Sequence, residues 1–341
     1  MKAARLYEYG QPLRIEDVPV PDPQADEVLI RVAGAGVCRS DLYVIDGELS
    51  EYVSLPVTMG HEIAGWVERA GPRARAPKPE TAVAVMVGWG CGSCEWCITG
   101  HEQICSNGHE AGSTKDGGFA DFVLVPHPRH LVPLGDLDPV RAAPLGDAGI
   151  SSYAAVMRIR SYLPGGSTVV IIGVGGLGQM AVQIAREITG ARIIAVDRRR
   201  DQLDRAADLG AAQTILAADD TVAEIRSATG GEGAHAVLDF VGTDDSLALA
   251  TRTVRQRGII AMLGLAGGHV PFGFYSQAPE AVLTTVFAGT RSDLDGVVAL
   301  AREGRIETLV TTYPLDDVNR ALDDLRAGRI DGRAVMTPLR S

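Results

Sequence analysis

A glycine-rich turn constrains the fold of this chain more than any other feature of its sequence. The turn is Gly-Val-Gly-Gly-Leu-Gly over residues 173–178, directly after the apolar run 168–172 and directly before a stretch of helical periodicity. In a strand–turn–helix unit, Gly173 permits the tight turn, Gly175 lets backbone amides approach a pyrophosphate, and Gly178 lets the helix lie close to the strand. The helix amino terminus adds positive potential for the phosphates, so the pattern predicts a dinucleotide-binding unit.

An acidic residue at the end of the next apolar run complements this turn. Asp197 follows residues 192–196, about 20 residues after the glycines, where a carboxylate accepts hydrogen bonds from an adenosine ribose. A carboxylate there repels a 2′-phosphate, which favours NAD over NADP, although the basic run Arg198–Arg200 weakens that preference. Because Asp197 and Asp201 flank the basic run, we interpret it as the solvated start of a helix. The cofactor-binding residues predicted in this unit are Gly173, Gly175, Gly176, Leu177, Gly178 and Asp197.

Apolar runs alternate with helical periods from about residue 150 onward. This alternation indicates βαβ units around a doubly wound parallel sheet. The predicted strands cover residues 168–172, 192–196, 236–240, 258–263 and 281–287.

The residues before this region have the pattern of short strands and turns. Alternating segments such as 82–87 are separated by Pro- and Gly-rich stretches, which predicts a β-rich domain. After Gly289 the pattern returns to a helix and a tail, residues 315–339, which we expect to pack on the β-rich half. The predicted domains are an inserted α/β domain at 147–288 and, around it, a β-rich domain of residues 1–146 and 289–341.

Composition excludes several classes of protein. The net charge of −11 and the pI of about 5.1 argue against nucleic-acid binding, because a protein that follows phosphates carries a basic field. No apolar run reaches the roughly 18 residues that a membrane span needs, and the first residues lack the apolar segment of a signal peptide. We therefore expect a cytoplasmic protein, in which clustered cysteines are metal ligands rather than disulfides.

Four of the five cysteines form one closely spaced run. Its spacing suits four thiolates that close on one tetrahedral metal, and a site with four protein ligands has no position left for a substrate. A ferredoxin-type iron–sulfur run closes after three residues with Cys-Pro, whereas here seven residues intervene and no such Pro follows. We predict a structural zinc loop over about residues 88–108, held by Cys91, Cys94, Cys97 and Cys105.

The fifth cysteine, Cys38, stands apart and is a candidate ligand of an open, catalytic metal site. His61 and Asp147 are further candidates, each beside small or polar residues. An isolated Cys or His more often fills a protein core, and spacing alone cannot assemble three positions spread over a hundred residues. From the residues alone, both interpretations remain open.

Six motifs nevertheless occur in the order seen in one family. They are 36-GVCRSD-41, 60-GHE-62, the cysteine run, 143-APLGDAGISSY-153, 173-GVGGLG-178 and 328-GRIDGR-333. Over essentially its whole length the chain resembles the zinc-dependent medium-chain alcohol dehydrogenases, most of all their bacterial secondary-alcohol-active branch. The resemblance implies a β-rich GroES-like catalytic domain into which a Rossmann domain is inserted. It also implies a catalytic zinc held by Cys38, His61 and Asp147, where Asp147 stands at a position that many members fill with Cys.

The resemblance assigns roles to several neighbouring residues. Glu62 matches the family acid beside the zinc, and Asp41 matches the carboxylate that orients the histidine ligand. Ser40 matches the hydroxyl that hydrogen-bonds the substrate oxygen and begins the proton relay. Arg39 and Arg333 match positions that contact the cofactor pyrophosphate, which agrees with bidentate phosphate recognition by Arg.

The chain departs from the family pattern at three places. Tyr43 stands where the liver enzymes have the His of the proton relay, so the catalytic route beyond Ser40 runs differently, for example through a cofactor ribose hydroxyl and water. Gln202 replaces a basic residue that often follows the ribose acid, and residues 77–81 replace a Gly-Asp turn.

Leu265 is assigned to cofactor binding by position in the resembled fold.

The resemblance implies an NAD-dependent alcohol dehydrogenase that interconverts a secondary alcohol and a ketone and binds two zinc ions per chain. A homotetramer, or a homodimer, is the expected assembly, with a small-molecule substrate as the only other partner. The alternatives are a zinc-free quinone or enoyl reductase of the same superfamily and a non-catalytic protein that binds NAD and zinc. Candidate substrate-pocket residues, each equally consistent with an ordinary core position, are Tyr43, Val53, Trp89, Phe272 and Ala288.

Overall fold

The computed structural model describes residues 1–338, which form two compact units. The first unit comprises Met1–Ile150 and the described residues from Ala288 onward, and the second comprises Ser151–Phe287. Residues 339–341, which end the predicted tail and the predicted β-rich domain, lie outside the described residues. Within residues 1–338 no helix is both long enough and apolar enough to cross a membrane.

Strands predominate in the first part of the chain, whereas strands and helices alternate in the rest. The strands are β1 (Lys2–Leu6), β2 (Arg14–Asp17), β3 (Val28–Gly36), β4 (Val57–Thr58), β5 (Glu62–Ala70), β6 (Ala82–Val85), β7 (Gly88–Trp89), β8 (His109–Glu110), β9 (Phe122–Val125), β10 (Leu131–Pro133), β11 (Thr168–Ile172), β12 (Arg192–Asp197), β13 (Gln213–Leu216), β14 (Ala234–Asp239), β15 (Val254–Met262), β16 (Val282–Thr285), β17 (Val310–Pro314) and β18 (Arg333–Thr337). The α-helices are α1 (Arg39–Ile45), α2 (Glu95–Ile98), α3 (Pro139–Ala142), α4 (Ala148–Ile159), α5 (Gly176–Thr189), α6 (Arg200–Asp208), α7 (Thr221–Ala228), α8 (Asp244–Thr253), α9 (Arg291–Arg302) and α10 (Val318–Arg326).

The second unit is built on a parallel sheet with the spatial order β13-β12-β11-β14-β15-β16. All five residues of β11 are buried, as expected of a central strand that helices cover on both faces. From β11 the successive strands are added on one side, as β12 and β13, and the later strands are added on the other side, as β14, β15 and β16, so the predicted doubly wound arrangement is confirmed. The five strands predicted here are present, whereas β13 was not predicted because its polar Gln213 and Thr214 give no apolar run.

The first unit is mainly antiparallel and is built around a seven-stranded sheet. Its longest strands, β3 and β5, pair antiparallel, and β3 also pairs with β9 and with β18. Eight of the nine β3 residues are buried, so this strand forms the centre of the unit's core. Because β18 lies in the carboxyl-terminal tail, that tail is an integral part of this β-rich unit.

Candidate metal centres and cofactor turn

The four clustered cysteines lie on a short lobe that the pairing of β7 with β8 closes. Cys94 caps the amino terminus of α2, and Cys97 lies within that helix. Only glycine fits at position 90, because a Cβ atom on Gly90 would lie 2.6 Å from the Cys97 sulfur. The local backbone therefore turns the four thiols toward one point.

The geometry of these thiols fits a zinc ion. Sulfur–sulfur distances are 3.5 Å for Cys94–Cys97, 3.6 Å for Cys94–Cys105 and 3.9 Å for Cys91–Cys97, and the cysteines are not disulfide-bonded. Four sulfurs at a zinc–sulfur distance of about 2.3 Å are roughly 3.8 Å apart in a tetrahedron. Hydrogen bonds from Ser93 lower the pKa of Cys91 to about 6, whereas burial raises the pKa of Cys97 to about 12. Four thiolates can coexist here only around a cation.

A second cluster joins residues from three separate elements of the first unit. Cys38 caps α1 after β3, His61 directly precedes β5, and Asp147 lies between a 3₁₀ turn and α4. Asp147 Oδ2 lies 3.7 Å from Cys38 Sγ and 3.5 Å from His61 Nε2. With Glu62, these residues bring their donor atoms within 4.8 Å of one another, a spacing that suits ligands about 2.0–2.3 Å from one zinc ion.

Asp41 holds the histidine of this cluster in a metal-binding orientation. Its Oδ1 lies 3.2 Å from His61 Nδ1, so the opposite nitrogen, Nε2, points to the other donors. Its Oδ2 accepts a hydrogen bond of 2.8 Å from the Cys38 backbone amide and thereby caps α1. One buried carboxylate thus fixes two of the three predicted ligands.

The charged groups of this cluster shift one another's pKa values. Burial lowers the pKa of His61, but the charge of Asp41 and hydrogen bonds to Asp147 and Asp41 raise it well above its usual value. Burial raises the pKa of Asp147, but its hydrogen bond with His61 and the nearby positive charges lower it to about 2. The cluster therefore favours a carboxylate beside a cation, and a divalent metal can replace the proton of His61.

Glu62 and Arg333 form a buried ion pair next to this cluster. The Arg333 Nε atom donates to Glu62 Oε2 at 2.9 Å, and its Nη2 atom contacts both Glu62 Oε1 and, at 3.8 Å, Asp147 Oδ2. Burial raises the pKa of Glu62 to about 7 despite the charge of Arg333. Contact of Arg333 with a pyrophosphate stays a prediction, and in this structure its guanidinium bonds to Glu62 instead.

The remaining predicted residues around the cluster differ in exposure. The Ser40 hydroxyl lies 3.3 Å from His61 Nε2, close to the donor atoms. Arg39 is exposed and Tyr43 is half-buried. Among the pocket candidates, Trp89 is buried and donates to the Met86 carbonyl at 2.8 Å, so it is a core residue here.

Other pocket candidates are more open. Phe272 is 74% exposed, which excludes a core position in this structure. Val53 and Ala288 are half-buried, and Val53 packs against the core of the first unit. Their contact with substrate stays a prediction.

The glycine turn of the second unit has the expected strand–turn–helix context. Gly173 has φ +82°, a conformation that side chains disfavour, and a Cβ atom on Gly178 would lie 2.1 Å from the Gly173 carbonyl oxygen. Helix α5 begins at Gly176, with Gly175 as its cap and Leu177 in its first turn. The turn is therefore a close contact between strand and helix that only glycine permits.

Asp197 lies beside this turn. Its Oδ2 accepts the Val174 amide at 2.9 Å and its Oδ1 accepts the Arg199 amide at 3.0 Å. Helix α6 begins at Arg200, which agrees with the interpretation of the basic run as a helix start. The Arg199 guanidinium forms an ion pair with Asp201. Leu265, the other predicted cofactor residue, is 56% exposed.

Glu110 is a carboxylate near the open cluster that the sequence did not suggest. On β8 the neighbouring His109 is exposed, so Glu110 faces the opposite, inner side of the strand. The segment from Glu110 to Gly117 packs on Gly60, whose carbonyl oxygen would lie 2.1 Å from a Cβ atom on Gly117. Within residues 1–338 the Glu110 carboxylate forms no hydrogen bond or ion pair.

The charged residues of the cluster influence the pKa of this carboxylate. Burial raises the pKa of Glu110, the positive charge of His61 lowers it, and the charges of Asp147 and Asp41 raise it. The half-buried side chain is therefore available to accept hydrogen bonds from a bound molecule. No local motif contained Glu110, since its position depends on the fold of residues 110–117 around Gly60.

His130, also missed from sequence, is fully buried behind the cysteine lobe. Both ring nitrogens lack a hydrogen-bond partner within residues 1–338. Glu102 Oε2 lies 3.6 Å from its Nδ1, but Arg129 already binds both oxygens of that carboxylate at 3.0 and 3.1 Å. Burial, followed by the charge of Arg129, lowers the pKa of His130 to about 3. The imidazole is therefore neutral in the folded protein.

This neutral histidine predicts a loss of stability in acid. An unfolded His has a pKa of about 6.5, so between pH 6.5 and 3 the unfolded chain binds the extra proton and stability falls as pH falls. From pH 7 to pH 5 this group alone lowers the free energy of unfolding by about 2 kcal/mol. His130→Leu should reduce the pH dependence by that amount in urea unfolding. His269→Leu, at an exposed histidine, is the control and should keep the wild-type slope; equal slopes for both variants would refute the assignment.

Comparison with known proteins agrees with this arrangement. Residues 24–136 match the family described as the alcohol dehydrogenase GroES-like domain, and residues 176–303 match the zinc-binding dehydrogenase family. The chain is 38% identical to an NAD-dependent alcohol dehydrogenase of Sulfurisphaera tokodaii, over 99% of this chain and 100% of that protein. It is 37% identical to D-arabinose 1-dehydrogenase (NADP(+)) of Saccharolobus solfataricus, over 99% of this chain and 97% of that protein.

A solved structure has the same fold. The crystal structure of the alcohol dehydrogenase of Aeropyrum pernix superposes with a TM-score of 0.93 at 35% identity. The superposition covers 99% of this chain and 100% of that one.

Proposed function

Because the chain belongs to the zinc-dependent medium-chain alcohol dehydrogenases, we propose that it interconverts a secondary alcohol and a ketone with NAD as the hydride carrier. Its class as an NAD-dependent alcohol dehydrogenase rests on full-length relatives with that activity. The observation that carries the site assignment is the convergence of Cys38, His61 and Asp147 beside the Ser40 hydroxyl.

The side chains of this cluster divide the work of proton removal. A zinc ion held by Cys38, His61 and Asp147 would supply Lewis acidity to the substrate oxygen, with NAD as the acceptor of the hydride. Ser40, whose Oγ lies 3.3 Å from the donor atom His61 Nε2, is placed to begin a proton relay, in which it would accept the hydroxyl proton of the substrate and pass its own proton on to water. Asp41 keeps the imidazole oriented, and the buried Arg333 offsets the negative charge of Glu62 and Asp147.

The finer features of the cofactors and the assembly are also proposals. Two observations support two zinc ions per chain, namely the closed four-sulfur cage and the separate open cluster. Asp197 supports NAD as the cofactor. NADP is the less favoured alternative, and the NADP(+) in the name of one relative is consistent with it. A homotetramer or homodimer is supported by β16, an edge strand whose Val282 and nearby Phe287 are exposed. A cytoplasmic location remains part of the proposal.

A second candidate substrate class is a polyhydroxylated compound such as a sugar. The observation that favours it is Glu110, a carboxylate without a partner among residues 1–338 that faces the cluster from the inner side of β8. A carboxylate is a strong acceptor for a second hydroxyl group of a substrate. A simple secondary alcohol has only the reacting hydroxyl group and therefore offers the carboxylate no second donor. One relative is named as a D-arabinose dehydrogenase, which is consistent with this candidate.

A substrate panel with NAD and NADP in parallel tests the function. We expect NADH formation with 2-propanol or 2-butanol, and absence of NAD reduction with every alcohol and sugar tested would refute a dehydrogenase. Activity unchanged after complete metal removal would indicate the zinc-free quinone or enoyl reductase class. Tight NADH binding without any turnover would indicate a non-catalytic binding protein.

Glu110→Leu separates the two substrate classes within that panel. If the substrate is polyhydroxylated, the variant should lose about tenfold or more in kcat/KM for 1,2-propanediol or D-arabinose, because one charge-assisted hydrogen bond is lost. Its kcat/KM for 2-butanol should stay the same or rise. A parallel loss with both kinds of substrate would contradict the hydroxyl-binding role of Glu110.

A further inference from the structure

Asp239 occupies the point in the second unit where a cofactor is bound in doubly wound sheets. It is the last residue of β14 and lies in register with Ile172, the last residue of β11. The sheet order reverses between these two strands, and ligands bind beyond the carboxyl ends of the strands at such a point. The Asp239 side chain is completely buried, so it lies beneath the cofactor surface rather than on it.

The Asp239 carboxylate is fully engaged by the loop that follows β14. Its Oδ1 accepts the Val241 amide at 2.8 Å and the Gly242 amide at 3.1 Å. Its Oδ2 accepts the Ser246 hydroxyl at 2.8 Å, which ties the first turn of α8 to the same group. A buried carboxylate with three donors fixes the shape of this loop.

The main chain of Asp239 holds a second loop. Its carbonyl oxygen accepts the Leu263 amide at 2.8 Å and the Gly264 amide at 3.1 Å, at the end of β15. The two loops touch so closely that a Cβ atom on Gly264 would lie 2.0 Å from the Val241 carbonyl carbon. Any shift of the first loop therefore displaces the second.

The first loop also touches the glycine turn. The Phe240 amide donates to the Ile172 carbonyl at 2.9 Å, and a Cβ atom on Gly173 would lie 2.6 Å from Val241 Cγ2. Asp239 thus connects, through backbone it positions, the loops after β11, β14 and β15. It is a link among the three loops that end at the cofactor edge of the sheet.

We propose that Asp239 is a positioning residue for the nicotinamide half of NAD, an inference that rests on the proposed NAD-dependent function. A doubly wound sheet binds a dinucleotide across two mononucleotide halves, and Asp197 at the end of β12 marks the adenosine half. The other half lies beyond β14 and β15, over the two loops that Asp239 holds. Asp239 itself is enclosed by these loops and acts through them.

Asp239→Asn tests this role, because the amide keeps the size of the side chain and an acceptor oxygen but loses the charge. We expect the KM for NAD to rise about tenfold, with a fall in kcat, as a charge-assisted hydrogen-bond network becomes a neutral one. Binding of ADP-ribose, which lacks the nicotinamide, should stay within about twofold of the wild type. Asp245→Asn, which removes an exposed charge from the nearby helix α8, is the matched control and should change neither value.

Two outcomes would overturn the proposal. A parallel loss of ADP-ribose and NADH binding would mean that Asp239 supports the whole cofactor-binding unit rather than its nicotinamide half. A lower melting temperature with unchanged NAD kinetics would mean that the role of Asp239 is purely structural. If Asp239→Asn does not fold, Ser246→Ala removes one of its hydrogen bonds and should move the same KM in the same direction. Direct binding of NADH and ADP-ribose is measured without turnover, so the result stands even if wild-type protein oxidises none of the alcohols tested.

Discussion

Asp147→Ala is expected to lower kcat for alcohol oxidation by at least about 10³-fold, equivalent to roughly 4 kcal/mol of transition-state stabilisation. The carboxylate is one of three donors in the open cluster, and a catalytic zinc with two protein ligands is held weakly. With a pKa of about 2, Asp147 is charged throughout the working pH range, so its loss also removes one of the anions beside His61 and Arg333, which keep Asp41 and Glu62, respectively, as charged partners. The zinc content should fall by one ion per chain.

Two comparisons make this result specific. Asp147→Cys should retain the metal and a measurable part of the activity, because a thiolate is a good zinc ligand and the family resemblance allows Cys at this position. NADH binding to Asp147→Ala should stay close to the wild type, since the glycine turn and Asp197 belong to the second unit. Full activity of Asp147→Ala with undiminished zinc would remove Asp147 from the ligand set.

The metal centres differ in how far the sequence alone could predict them. The cage could be predicted from cysteine spacing alone, because its four ligands are close together in the sequence and a short lobe brings them together. These ligands are Cys91, Cys94, Cys97 and Cys105. The open cluster joins Cys38 to Asp147 across 109 positions of sequence, so its prediction depended on resemblance rather than on periodicity. Local chemistry predicts a closed site, whereas an open site depends on tertiary folding.

The residues that the sequence did not suggest share a physical cause. Glu110 and His130 lie in no regular pattern, and their environments come from the packing of distant segments. Asp239 lies within the predicted strand 236–240, and nothing in its residue type shows its role until the loops around it are known. Burial and partner count define these roles, and neither is encoded by residue type alone.

Cys94→Ser should release the zinc of the closed cage and destabilise the protein more than any other substitution considered for the lobe. The Cys94 sulfur lies 3.5 Å from the Cys97 sulfur and 3.6 Å from the Cys105 sulfur, so its loss removes one of the four zinc ligands and leaves the tetrahedral site incomplete. Metal binding to such a site is folding free energy, and we expect the free energy of unfolding to fall by about 4 kcal/mol or more. The melting temperature should fall by roughly 10 °C.

The position of the cage limits this effect to stability. The lobe is anchored by the Arg129–Glu102 ion pair, which the substitution leaves intact, and the open cluster draws its donors from other elements. One zinc ion per chain should therefore remain, and kcat below the melting transition should stay near the wild-type value. Ser93→Ala, which removes a hydroxyl 3.6 Å from Cys91 Sγ but no ligand, is the control and should keep both ions at a cost of about 1 kcal/mol. Loss of both ions from Cys94→Ser, with loss of turnover in protein that is still folded, would mean that the two centres depend on each other.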